Sequence, residues 1–256
     1  MNRGGHTAIV CEGFHDRAMW QAMLSELNCK RHDLPGQQAS RFGFLSLGNH
    51  FIEVIPRVRV ESKAGSTTRV VTLEGKNNIP RLCSTVLGDS PARIIACYDT
   101  DELVPGPEDA DGVLQSVHSY FVARGDSCTD LTDRRFRVKD QTEVIAVDWS
   151  TSDREGHPGV PNTQTLERVI CLALANAYPE RAKHVQNWLD SRPQKPAATD
   201  SSAKEFPFSY LAGWYSKATS YEAFIKHIWL DGEVKPQLIQ ILDQAGALAV
   251  AREIAS

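Results

Sequence analysis

At 256 residues the chain has room for one large domain, or for one domain with a smaller partner. Its 41% hydrophobic and 23% charged residues exclude disordered, collagenous and membrane-protein compositions. With 28 basic and 32 acidic residues the net charge is −4, so no global positive field draws nucleic acid and any such contact needs a local basic patch.

The opening residues, Met-Asn-Arg-Gly-Gly-His, carry no signal segment, and the most apolar stretch, residues 169–177, is too short to span a bilayer. No membrane association is expected. The six cysteines are irregularly spaced without a C-x-x-C pair, which argues against structural zinc and a disulfide scaffold. Several fall inside apolar runs, as reduced core thiols do, and a cytoplasmic setting follows.

Three short β-branched runs, at residues 8–11, 69–73 and 94–98, each precede a helical pattern, which predicts βαβ units and a mostly parallel sheet flanked by helices. After the first run, Ala18, Met19, Trp20, Met23, Leu24 and Leu27 form one apolar helical stripe. The second is followed by Ile79, Leu82, Val86 and Leu87, and the third by Val113, Leu114, Val117, Tyr120 and Phe121. A fourth run, 144–148, is expected to close the sheet. Between the first helix and the run at 69–73, residues 42–68 read as an inserted β-hairpin, within an insertion of about 31–68. The α/β module thus covers residues 1–150. Past a polar loop at 150–162, helices dominate, and 151–256 is expected to form a helical region packed on the module. Residues 192–208, with three prolines, read as a long loop.

Two strand ends carry the chemistry. The first run leads into Glu12-Gly-Phe-His-Asp16, with Gly13 allowing a sharp turn, so both carboxylates can face one point above the sheet. The third leads into Asp99-Thr-Asp101, two carboxylates on one side of the chain. If the strands are neighbours, four hard oxygen ligands converge, a set suited to Mg2+ or Mn2+. Taken singly, each motif is also an ordinary cap or turn.

Glu12-Gly-x-x-Asp16, a second βα unit and then Asp99-x-Asp101 is a pattern that resembles the TOPRIM fold, the catalytic module of topoisomerases, bacterial primases, ribonuclease M5 and OLD-type nucleases. The resemblance covers residues 7–148, with the inserted segment as a departure. Thr163-Gln-Thr-Leu-Glu167 resembles a late Leu-Glu motif of OLD-like proteins and of stand-alone TOPRIM proteins of the DUF3226 or DUF4435 type, and Glu74-Gly75-Lys76-Asn77 resembles their Gly-Lys turn. The chain carries no topoisomerase gate, no zinc module and no G-x-x-x-x-G-K-[ST]. The resemblance therefore implies a stand-alone metal-dependent nuclease acting on DNA first and RNA second, an effector of the phage-defence kind working with a separate ATPase partner. Oligomerisation is compatible with it. Its metal ligands would be Glu12, Asp16, Asp99, Asp101, Asp153 and Glu167, one or two Mg2+ or Mn2+ ions would bind, and Glu12 would serve as ligand or general base. A lysine would stabilise charge at the phosphate, Lys204 first, with Lys217 and Lys76 behind it.

Helical phase gives Glu167 a separate argument: with Ile170, Cys171 and Leu174 it lies on a core-facing stripe. Phosphate binding by an acidic protein points to Arg57, Arg59, Lys63 and Arg69 of the inserted hairpin, with Lys76. His15 reads as a surface residue, and Phe206, Phe208, Tyr210, Trp214 and Tyr215 as core or as base-stacking rings. Two other functions remain open. A HAD-like phosphatase also places Asp-x-Asp at a strand end, though on its first strand, and a non-catalytic binding subunit could keep the carboxylates as a structural metal site.

Overall fold

Four β-branched segments that share one direction build the centre of the main sheet. The computed structural model describes residues 5–32, 43–64, 67–99, 109–131, 134–191, 203–214 and 221–256. Strand β1 (His6–Val10) leads into helix α1 (Phe14–Glu26), followed by β2 (Lys30–His32), β3 (Gly43–Leu47), β4 (His50–Ile55), β5 (Arg57–Ala64) and β6 (Thr67–Glu74). Helix α2 (Ile79–Leu87), β7 (Arg93–Tyr98), α3 (Asp109–Ala123), β8 (Cys128–Asp130), β9 (Arg135–Val138) and β10 (Thr142–Asp148) follow. Five further helices are α4 (Leu166–Ala177), α5 (Pro179–Ser191), α6 (Glu205–Trp214), α7 (Tyr221–Leu230) and α8 (Val234–Gln244), and α9 (Ala247–Ile254) ends the series.

The main sheet has eight strands in the order β2-β3-β4-β1-β7-β10-β9-β8. Strand β1 pairs in parallel with β4, Val10 opposite Ile55, and with β7, Val10 opposite Ala96. At the start of β10 the Glu143 N–H donates to the Ala92 carbonyl and the Thr142 hydroxyl to the Pro91 carbonyl, so β10 starts beside the start of β7. Antiparallel β3 and β2 extend one side, and antiparallel β9 and β8 the other. The sheet is therefore a mixed one with a parallel centre.

Two strand expectations are corrected. The parallel neighbour of β1 is β4, within the stretch read as an insertion, whereas residues 69–73 belong to β6, which pairs with β5 in a separate two-stranded ribbon. The run at 144–148 does not close the sheet, because β9 and β8 continue it. The long loop read at 192–208 also ends early: α6 starts at Glu205, while 192–202 lie outside the described residues.

The chain forms two compact units. The first comprises residues 1–98, 106–147 and 251–256, and the second 99–105 and 148–250. In the first, alternate strand residues Ala8 and Val10, Ile94, Ala96 and Tyr98, and Val144 and Ala146 pack with Ile79, Leu82 and Val86 of α2 and Val117 and Phe121 of α3. Ile9 and Ile95, which alternate with them, are also fully buried, and α1 packs on β3 and β4. Strands covered on both faces read as continuous apolar runs, which is why 8–11 and 94–98 lack polar alternation. Glu253 binds Arg135 through both oxygens at 2.7 and 3.0 Å and Arg93 at 3.4 Å, which ties the last helical turn to β7 and β9. In the second unit α4 packs against α5, α6 and α8, with Val169, Ile170, Cys171, Ala173 and Leu174 fully buried. Among the described residues no helix is long and apolar enough to cross a membrane.

Candidate functional site

Parallel pairing fixes what collects at the carboxyl edge of the sheet. In the first unit, Cys11 still donates its N–H to the Ile55 carbonyl at 3.1 Å, so the turns after β1 and β4 leave the sheet side by side. After β1 comes Glu12, half-buried, and after β4 come Pro56 and Arg57. The Gly75 N–H donates to the Glu12 carbonyl at 3.2 Å, which brings the turn after β6, with Lys76, to the same place. Gly75 has φ +80°, a conformation that glycine adopts without strain. Strand β7, next to β1, ends at Tyr98, and the chain runs directly from it into Asp99.

Asp16 is 5% exposed, and its Oδ2 accepts the Gly13 N–H at 3.0 Å. This is a helix cap that closes the turn after β1. The Cys11 thiol beneath it is pushed well above its ordinary value, first by burial and then by the nearby Asp16 charge. It is therefore an inert core thiol. Phe14 stays 37% exposed at the first position of α1, with the guanidinium carbons of Arg57 and Arg17 at 4.7 and 4.8 Å from its ring centroid.

In the second unit, Asp99 Oδ1 accepts the N–H of Leu166, the first residue of α4, at 2.9 Å, while the Thr165 hydroxyl oxygen accepts the Arg168 N–H at 3.3 Å. Two of the helix's unpaired N–H groups are thereby satisfied. Glu167, the next residue after Leu166, is 4% exposed, in agreement with its helical phase. Its charge and, more strongly, burial raise the Cys171 thiol one turn on.

Asp153 has both carboxylate oxygens engaged. Oδ1 takes Arg168 at 3.2 Å and the Glu155 N–H at 2.9 Å, and Oδ2 meets His157 Nε2 at 2.8 Å. Burial works to raise this carboxyl, but the His157 and Glu155 hydrogen bonds and the His157 and Arg168 charges outweigh it and hold it below its ordinary value. Sequence reading overlooked Arg168, which is fully buried and whose guanidinium also donates to the carbonyls of Pro161, Asp153 and Glu155 and to the Thr151 hydroxyl. The visible signal was an arginine inside the apolar run that begins at Leu166.

Lys204 is exposed in the turn before α6, and Lys76 opens a short 3-10 turn, half-buried. Arg59, Lys63 and Arg69 lie on β5 and β6, with side chains outside the described residues, as are Asp101, Lys217 and Tyr215 and the side chain of Trp214. Of the aromatic set, Phe206 and Tyr210 are buried and Phe208 is exposed. His15 is half-buried. Among the described residues no three His, Cys, Asp or Glu side chains lie close enough together to hold a metal. A cavity of about 980 Å³ in the second unit is lined by Tyr178, Arg181, His184, Trp188 and Tyr210 among others. It opens at the far end of α4 from Glu167, about 15 Å away at the helical rise, and contains none of the motif carboxylates.

No protein-family model matches the chain, and no curated protein does. Among solved structures the chain resembles hypothetical protein PH0156 from Pyrococcus horikoshii OT3, with a TM-score of 0.69, 14% identity, and coverage of 99% of this chain and 100% of that one. At that identity the likeness establishes a shared α/β fold.

Proposed function

We propose that the protein is a TOPRIM-like, Mg2+- or Mn2+-dependent phosphodiesterase that hydrolyses DNA, with RNA as second substrate. The observation that carries this reading is the parallel pairing of β1 with β7, Val10 opposite Ala96. Glu12-x-x-x-Asp16 and Asp99-x-Asp101 therefore follow neighbouring strands that run in one direction, where α/β sheets bind ligands. The donor chemistry fits a hard divalent cation: every candidate at these strand ends is a carboxylate. Such a cation supplies charge neutralisation at the phosphate and an acidified water.

The chain's own residues supply the rest. Glu12 is the candidate base, in a half-buried turn held by the Gly75 N–H. The Gly13 N–H fixes the Asp16 carboxylate, and the Leu166 N–H fixes Asp99. Arg57 and Lys76, after β4 and β6, are the candidate phosphate contacts. Lys204, exposed before α6, is the other candidate cation.

Purified protein incubated with supercoiled plasmid and Mn2+ should nick or linearise it, EDTA should stop the reaction, and Asp99→Asn should abolish it while leaving the thermal melt unchanged. Equal cleavage by wild type and Asp99→Asn would overturn the proposal. The bond from Asp99 to the start of α4 also favours a second reading, a non-catalytic subunit in which these carboxylates organise the fold. Plasmid binding with no cleavage in either metal selects that reading.

A further inference from the structure

We propose that the cavity between α5 and α6 is a binding site for a planar fused heteroaromatic molecule of nucleoside size, with its ring on the Trp188 indole and a ring acceptor on the His184 imidazole. The site lies within the second unit, contains none of the motif carboxylates, and does not depend on the nuclease reading. Its volume of about 980 Å³ is at the upper end of what small-molecule sites enclose.

Helical phase builds one wall. On α5, Arg181, His184, Val185 and Trp188 recur at the spacing of a single helix face, and all four line the cavity. Val185 is buried, whereas Trp188 keeps 61% of its surface exposed, in contrast to Trp20 and Trp149, which are fully buried. An indole left in water forgoes a large transfer gain, which a flat ring laid against it would recover. Among the described residues, the side chains of Trp188 and His184 engage in no hydrogen bond or ring contact. The other polar groups of that wall are committed: Tyr178 donates its hydroxyl to Asp231 at 3.0 Å, Glu180 holds Lys183 at 2.6 Å, and Arg181 keeps a partner of its own. A ligand is therefore met by one open indole and one open imidazole.

Their spacing selects the ligand. The two residues are four apart, about 6 Å along the helix. A molecule that uses both needs a flat ring system about that long with a hydrogen-bond acceptor at one end, which fits a fused heterocycle of purine type and not a sugar. The α6 side of the lining is small, with Ser209 and Ala212 three positions apart and buried Tyr210 at the floor, and so leaves width for a ring.

Isothermal titration calorimetry of the full chain with adenosine, inosine and ribose tests the site, with circular dichroism melts of each variant. Adenosine and inosine should bind with a Kd of about 0.1 mM or tighter, and ribose should not bind. Trp188→Ala should weaken nucleoside binding about 5- to 150-fold, and His184→Ala about 2- to 10-fold. Ala212→Trp, at an exposed position of α6, should fill the cavity and abolish binding with both rings still in place. All three positions are exposed, so each variant should melt within about 2 °C of wild type. Absence of heat from both nucleosides up to about 2 mM, ribose binding as tight as that of adenosine, or unchanged affinity in any of the three variants would overturn the proposal.

Discussion

Arg168→Met tests whether one buried guanidinium holds the 150–162 loop. Methionine keeps the length and apolar stem of the side chain, so the packing around α4 survives and the lost term is polar. Arg168 is fully buried, and its guanidinium meets Asp153 Oδ1, three loop carbonyls and the Thr151 hydroxyl. Breaking a fully buried ion pair costs about 3–5 kcal/mol, but the Asp153 side chain is 33% exposed and water screens part of that loss. The carbonyls left behind add to the cost where water cannot reach them. A loss of about 3–4 kcal/mol corresponds to a drop of about 6–16 °C in Tm for a chain of this size. The melt is followed by circular dichroism, with trypsin cleavage after Arg154, inside the loop, as a local reporter that should accelerate. The pH dependence follows from Asp153, whose folded carboxyl lies below its ordinary value. Its contribution is present above the ordinary carboxylate range and fades as pH falls through the folded value, so the two melts should converge in acid. A variant that melts within about 1 °C of wild type at neutral pH, with trypsin cleavage unchanged, would refute the assignment.

Glu253→Gln should lower Tm modestly at pH 7, by about 1 kcal/mol or less because the pair is a quarter to a third exposed. The Arg135 hydrogen bonds hold the Glu253 carboxyl low against burial, with the Arg135 and Arg93 charges helping, so the gap between the melts should close as pH falls below the ordinary carboxylate range. Gly159→Ala, at φ +72° with a Cβ that would stand 2.5 Å from the Tyr210 hydroxyl and 2.6 Å from the Ala182 carbonyl, should cost about 2–5 kcal/mol in a urea melt. Gly75→Ala, at φ +80° with nothing within 4 Å, should cost only about 1–2 kcal/mol. Asp99→Ala should destabilise by about 1 kcal/mol through the lost contact with α4, whereas Asp99→Asn, which keeps an acceptor oxygen, should melt as wild type does.

Most of the local structure was legible because its signals are local. The apolar runs at 8–11 and 94–98, the stripe on α1 and the inward phase of Glu167 all depend on residues within a few positions of each other. Strand choice was not legible. His50–Ile55 and residues 69–73 are both short and rich in branched apolar residues, and nothing within either says which one pairs with β1. That is decided by partners more than forty residues away. Arg57 opens β5 of the two-stranded ribbon, opposite Glu74, two residues past the end of β4. The cation–π group around Phe14 was invisible for the same reason, since Arg57 meets the ring only after β4 is paired. Arg168 was hidden differently: its partners are mostly backbone carbonyls, which carry no sequence signature.

The capping and the ligand readings of the motif carboxylates are compatible, because a carboxylate has two oxygens. In Asp16 one oxygen takes the Gly13 N–H, and in Asp99 one takes the Leu166 N–H. Each bond restrains its carboxylate, and a metal ligand needs such restraint from its surroundings. A hydrogen bond from a backbone N–H also stabilises the ionised form, the only form that binds a cation. At Asp153, His157, Glu155 and Arg168 engage both oxygens and a buried arginine already neutralises the charge. The same hydrogen-bond pattern thus sorts the candidates. Asp16 and Asp99 each accept a backbone N–H, from Gly13 and from Leu166, whereas Asp153, paired with a buried arginine, belongs to the scaffold of its loop. Replacing Asp153 by Asn should therefore lower stability and leave metal-dependent cleavage intact at temperatures where the variant is folded, whereas Asp16→Asn should remove cleavage. Loss of cleavage in folded Asp153→Asn at the rate seen for Asp16→Asn would defeat this sorting.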